Sequence, residues 1–124
     1  MEGIVIKSTG KVHTVLGDNN IIYICKLKGS EKLKKNEFTN PIAVGDKVLF
    51  NFQKENNTGI IEKIQSRTNY VIRKSVNLSK KSQIIASNID LCMLLITLKE
   101  PITTLLFIDR FLVTLDAYKI PTIL

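Results

Sequence analysis

Between Gly3 and Gln65 apolar and polar residues alternate over short runs, each closed by turn-forming residues. The period of two predicts strands at Gly3 to Ser8, Lys11 to Leu16, Ile21 to Lys28, Lys47 to Gln53 and Gly59 to Gln65. Thr9-Gly10, Gly17-Asp18-Asn19-Asn20 and Asn56-Asn57-Thr58-Gly59 carry the turns. In the third run Tyr23, Cys25 and Leu27 share one face. On the opposite face Ile22 and Ile24 give way to Lys26 and Lys28, as at the rim of a binding surface. Val48, Phe50 and Phe52 form the inward set of the fourth run. Five short strands of this kind predict a small antiparallel barrel over residues 1–66.

The longest interruption, Gly29 to Val44, holds Lys32, Lys34 and Lys35 against Glu31 and Glu37. A solvated loop and a nucleic-acid contact both fit that charge. Asn40-Pro41 and Gly45-Asp46 are turn chemistry that leads the chain into the next strand, with a structural role.

From Arg67 the pattern changes. Residues 67–82 contain Arg67, Arg73, Lys74, Lys80 and Lys81 and no carboxylate, which predicts a basic linker whose cations meet phosphate. Tyr70 within it is expected to pack, with stacking on a base as the alternative. Beyond Gln83, Leu91 to Leu98 is almost continuously apolar, as a strand covered on both faces must be. Thr103 or Thr104 is a fair N-cap for a helix running to about Lys119, with Leu105, Ile108, Leu112 and Leu115 packing on that strand. Pro121 opens another apolar strand, so residues 83–124 read as a partial α/β segment, β-α-β with parallel strands.

Charge sharpens this division. Met1 to Ser82 holds 15 Lys and Arg against 7 Asp and Glu, a net +8, whereas Gln83 to Leu124 holds 3 against 4, a net −1. The first module therefore prefers a polyanion. With 44% apolar residues in 124, the chain belongs to the folded class. No apolar run reaches the roughly 20 residues of a membrane span, and Met1-Glu2-Gly3 does not open a signal peptide, so a cytoplasmic location without membrane contact is expected.

Candidate catalytic chemistry is sparse. There is no GxxxxGK[ST], no GxGxxG and no clustered pair of acids. Cys25 and Cys92 stand far apart without CxxC spacing and His13 is the single histidine, so no metal set is expected and both thiols are expected in the core. Neither catalytic nor nucleotide-binding residues are assigned. The RNA-binding candidates are Lys26, Lys28, Lys32, Lys34, Lys35, Arg67, Arg73, Lys74, Lys80 and Lys81.

Five stretches in this order, "NPIAVGDKVLF", "NNTGIIEKI", "RTNYVIRKS", "IIASNIDLCMLLIT" and "FIDRFLVTLDAYKIPTIL", make the chain resemble the ribosome small-subunit-dependent GTPase A family across nearly its whole length. That resemblance implies an OB-fold barrel followed by the first β-α-β portion of a circularly permuted, P-loop-type G domain, ending ahead of the NKxD motif, the P-loop and the zinc ligands. It implies a parent that hydrolyses GTP, uses GTP, Mg and Zn, and acts on the small ribosomal subunit during its late maturation, docking on 16S rRNA through the OB domain. On this expectation the present residues supply rRNA binding only, with no cofactor and no activity alone. An open sheet edge in the half-formed α/β segment is expected to allow self-association. Two other classes remain open: a stand-alone OB-type RNA-binding protein without enzymatic activity, and an adaptor that binds proteins through exposed apolar surface.

Overall fold

The computed structural model describes residues 1–29, 38–74 and 82–124, the Lys74 side chain excepted. Five strands, β1 (Glu2–Thr9), β2 (Val12–Gly17), β3 (Ile22–Leu27), β4 (Lys47–Gln53) and β5 (Thr58–Ile64), close into a barrel in the order β1-β2-β3-β5-β4. Their bounds lie within one or two residues of the runs of alternation.

The barrel departs from the all-antiparallel expectation at one seam. β3 and β5 run parallel, with Cys25 opposite Gly59 and Leu27 opposite Ile61, whereas the other four neighbouring pairs are antiparallel. Parity requires this. Directions that alternate around a closed ring of five cannot return to their starting sense, so a parallel contact must occur. The enclosed core consists of Val5, Val15, Cys25, Leu27, Ile42, Val48, Phe50 and Ile61, with Tyr23 and Ile64 packed against it. Alternation places the buried set inward except Ile42, which comes from the segment leading into β4, and Ile64 joins it out of step with Ile61.

The region expected to be a basic linker carries a strand. β6 (Tyr70–Lys74) pairs antiparallel with β7 (Ser82–Ser87). Its Val71 is buried, and Arg73 and Lys74 had concealed the short alternation of Tyr70, Val71 and Ile72. β8 (Cys92–Met93) and β9 (Thr122–Ile123) pair in parallel around helix α1 (Leu105–Ala117), as expected of a β-α-β unit.

The long buried strand at Leu91 to Leu98 does not form. Only Cys92 and Met93 are paired, and Leu91, Met93, Leu95 and Leu98 are exposed. A strand is covered on both faces only when layers lie on both, and among the described residues β8 has one paired neighbour, β9. Leu105 is likewise exposed instead of packing on that strand. The helix turns Phe111 and Leu115 into a small second core with Val71, Ile120, Ile89, Cys92 and Tyr118.

Local chemistry fixes both ends of α1. Thr104 is extended and its hydroxyl accepts from the Phe107 N–H, which fills one of the open donors of the first turn. At the far end Lys119 adopts a left-handed conformation with φ 54°. The Ile120 N–H then donates to Leu115 O and the Lys119 N–H to Asp116 O. This is the Schellman arrangement, and its usual apolar contact is the buried pair Leu115 and Ile120.

Candidate nucleic-acid interface

β1, β2 and β3 present one antiparallel face to solvent. Pairing aligns its outward residues in rows, Ile4–Leu16–Ile22, then Lys7–Thr14–Ile24, then Thr9–Val12, with Lys26 two residues beyond Ile24 on the same side of β3. A bulge sets the second row. The β1–β2 register slips between Val5 and Lys7, so Ile6 and Lys7 are both exposed and Ser8 turns inward to His13. Strict alternation would have pointed position 7 into the barrel with Val5.

The bulge thereby collects cations at one end of the face. Lys7 on β1, Lys11 in the β1–β2 turn, and Lys26 and Lys28 at the end of β3 are all exposed, while Glu2 and Asp18 lie at the other end. Lys26 and Lys28 were legible from alternation. Lys7 and Lys11 were missed because their position follows from the bulge and the hairpin register, which a single strand does not display.

Arg73 reaches the same region from β6. A groove of about 530 Å³ separates the barrel from the β6–β7 pair, and Ser8, Gly10, His13, Asn40, Arg73 and Gln83 are among its lining residues. Lys32, Lys34, Lys35, Lys80 and Lys81 lie outside the described residues, as does the Lys74 side chain.

Arg67 behaves differently from the other candidate cations. Its Nε donates to Asp46 Oδ1 at 2.6 Å and its Nη2 to Asp46 Oδ2 at 2.7 Å and to Pro41 O at 3.2 Å. The hydrogen bond to Asp46, more than the nearby charge, raises the guanidinium pKa above its ordinary value. Asp46 is fully buried and also accepts from the Ser87 hydroxyl at 2.6 Å and the Ala43 N–H at 2.9 Å. Its four donors come from the segment leading into β4, from the segment after β5 and from β7. The residue read as turn chemistry therefore ties the barrel to the β6–β7 pair, and Arg67 is directed inward as part of that tie.

Further bonds repeat the connection. Asn40 exchanges side-chain bonds of 2.9 Å with both the N–H and the C=O of Ile84, and the Asn88 amide donates to Gly45 O at 2.9 Å. Gly45 has φ +90°, and a Cβ there would collide with Ser87 O. Tyr70 packs between Phe38 and Tyr118, with ring centroids 5.6 and 4.9 Å away.

His13 is buried with Nδ1 3.0 Å from Ser8 Oγ, and burial pushes the Cys25 thiol up to about 11, far from a reactive thiolate. Among the described residues no group of three His, Cys, Asp or Glu gathers as a metal site, and no helix is long and apolar enough to cross a membrane.

Two family models match successive parts of the chain. Residues 2–61 match the family described as RsgA N-terminal domain, and residues 64–124 match RsgA GTPase. The chain is 52% identical over 126 aligned residues to the small ribosomal subunit biogenesis GTPase RsgA of Christiangramia forsetii, covering 100% of this chain and 40% of that relative. It is 48% identical to the protein of the same name from Bacteroides fragilis, covering 98% and 39%. Among solved structures it is similar to YjeQ from Thermotoga maritima, with a TM-score of 0.68 and 28% identity over 98% of this chain and 38% of that one. YloQ, a circularly permuted GTPase, gives 0.65 and 28% over the same shares. The chain thus spans about two fifths of the length of the curated relatives it matches.

Proposed function

The chain belongs to the RsgA family of GTPases, and on that footing we propose that it is the RNA-docking portion of a GTPase of small-subunit biogenesis. The observation that carries the reading is the gathering of Lys7, Lys11, Lys26 and Lys28 at one end of the barrel's outer face, with Arg73 across the adjoining groove. Lysines that neutralise phosphates release counterions from a polynucleotide, and OB barrels use this face and its loops for that purpose. From charge alone, the same proposal assigns Lys32, Lys34, Lys35, Lys74, Lys80 and Lys81 to contacts with 16S rRNA. Arg67 is assigned to the junction instead.

In this reading the parent is cytoplasmic and hydrolyses GTP with Mg, and it carries Zn, during late maturation of the small subunit. The present residues do not fit any of these groups: the sequence has no GxxxxGK[ST], and among the described residues no three His, Cys, Asp or Glu gather as a metal site. Nucleotide and metals are therefore assigned to other parts of the parent, and this chain contributes docking. Exposed Leu95, Leu98 and Leu105 support a longer α/β domain over the stand-alone RNA-binding alternative. The same apolar surface, with the edge of the β8–β9 pair, drives self-association at high concentration, which light scattering across a dilution series would read.

The test is binding of this chain to purified small ribosomal subunits over a range of salt, beside a variant with Lys26, Lys28, Lys32, Lys34 and Lys35 reversed to Glu. Binding that weakens steeply with salt and fails in the variant is the expected result. A variant that binds as well as the parent chain would overturn the docking assignment.

A further inference from the structure

We infer that the groove between the barrel and the β6–β7 pair binds a small phosphorylated sugar. This site is separate from the lysines at the end of the barrel face, and it stands whatever those lysines dock on. Three features carry it: walls held by fixed bonds, a guanidinium paired with a neutral amide, and an aliphatic remainder.

Hydrogen bonds fix the walls. Asn40 Nδ2 donates to Ile84 O at 2.9 Å while its Oδ1 accepts from the Ile84 N–H at 2.9 Å, and the Thr39 N–H donates to Ser82 O at 2.9 Å. On the barrel side Ser8 Oγ lies 3.0 Å from His13 Nδ1 and donates to Ile42 O at 3.4 Å. The space of about 530 Å³ is therefore preformed, and it falls within the roughly 300–1,000 Å³ of sites that enclose small molecules. A ligand entering it does not have to order the walls, which removes much of the cost of binding.

Asn40 and Ser8 are occupied by those bonds. Arg73, Gln83 and Thr39 also line the groove, and their exposed side chains bond to no other described residue. Arg73 on β6 stands directly opposite Gln83 on β7, so the two side chains rise from one face with Cβ atoms about 5 Å apart. A guanidinium fork matches two oxygens of a phosphate, and the carboxamide beside it offers both a donor and an acceptor. No Asp or Glu is among the described residues that line the groove, so the charge there favours an anion.

The rest of the lining defines what the anion is attached to. Ile42, Ala43, Val44, Ile84 and Ile85 are aliphatic. A sugar ring presents C–H groups to such a surface and hydroxyls at its rim, where Gln83 and Thr39 meet them. No aromatic ring is among the described lining residues, so a nucleobase finds nothing to stack on. A polynucleotide needs several cations along its phosphates, and Arg73 is the single Lys or Arg among the described lining residues. One phosphate ester on a sugar fits both limits.

The experiment titrates the isotope-labelled whole chain with ribose 5-phosphate, ribose, inorganic phosphate, uridine 5′-monophosphate and oligo(U), reading amide shifts by NMR. Ribose 5-phosphate is expected to move the amides of Ser8, Thr39 and Gln83 and to bind about ten-fold or more tighter than ribose, the factor that a charge-assisted bond contributes. Arg73→Gln should remove that advantage, and Gln83→Ala should weaken binding several-fold. Uridine 5′-monophosphate should bind no tighter than ribose 5-phosphate. Inorganic phosphate binding as tightly as ribose 5-phosphate would reduce the site to an adventitious ion only and overturn the inference. Shifts confined to Lys7, Lys11, Lys26 and Lys28, or an advantage that survives Arg73→Gln, would overturn the groove as the site. Oligo(U) displacing ribose 5-phosphate at a lower phosphate concentration than the monophosphate does would overturn it in favour of a polynucleotide.

Discussion

Arg67 and Asp46 meet at two points, Nε to Oδ1 at 2.6 Å and Nη2 to Oδ2 at 2.7 Å, with the carboxylate fully buried. Such a pair is not a large net source of stability, because both charges were better hydrated in the unfolded chain. Its breakage is costly, because one charge is then left buried without its partner. Since Arg67 remains partly exposed at 18% of its side chain, Arg67→Met is expected to cost about 2–4 kcal/mol in urea unfolding. Asp46→Leu with Arg67→Met together should cost less than the two separate losses added. A loss below about 0.5 kcal/mol in Arg67→Met would show that the pair is not a structural tie.

Gly45 stands immediately before this carboxylate at φ +90°, and its missing Cβ leaves room for Ser87 O. Ser87 in turn donates its hydroxyl to Asp46 and its N–H to Val44 O. Gly45→Ala combines an unfavourable backbone conformation with a collision that only a shift of β7 can relieve. It should lower stability by about 2–4 kcal/mol and reduce the hydrogen-exchange protection of the Ser87 amide. Unchanged protection at Ser87 would count against this account of the contact.

Elements whose structure comes from local alternation were legible in the sequence. Tyr23, Cys25 and Leu27 turn inward as their period of two requires, and Thr104 caps the helix as its position ahead of Leu105 suggests. The features that escaped depend on partners. The bulge at Ile6 is a property of the β1–β2 pairing, so the outward turn of Lys7 has no signature in β1 alone. Asp46 and Arg67 are 21 residues apart, and each fits a local role, turn former and phosphate contact, that conceals the pairing. Leu91 to Leu98 shows a different failure: apolarity records what a segment can bury, while burial itself needs covering layers.

Cys25 makes stability depend on alkaline pH. Burial raises its thiol from the ordinary 9.0 to about 11, so between those values the unfolded chain releases a proton that the folded chain keeps. The stability of the fold is therefore undiminished by this group below pH 9 and falls as the pH rises toward 11, by up to about 1.4 kcal/mol per pH unit. Tyr118, also raised by burial, acts with the same sign at higher pH. The check is urea unfolding at pH 8 and pH 10.5. Cys25→Ala should be less stable at the lower pH, because it empties part of the core, yet lose less than the parent chain on going to the higher one. Equal losses in both proteins would assign the alkaline decline to other groups.

The exposed lysines and Arg67 should separate cleanly when stability and RNA binding are measured on the same variants. Lys7, Lys11, Lys26 and Lys28 lie in solvent, so Lys→Gln at any one of them is expected to change folding stability by no more than about 0.5 kcal/mol. Each substitution should flatten the slope of log K against log salt by about 0.7–0.9, the share of one released counterion. Arg67→Gln should do the reverse, lowering stability while leaving the slope of the remaining folded protein intact, because its guanidinium is engaged by Asp46. A flattened slope in Arg67→Gln would return that residue to the binding surface. Unflattened slopes in all four lysine variants would move the phosphate contact away from this end of the barrel.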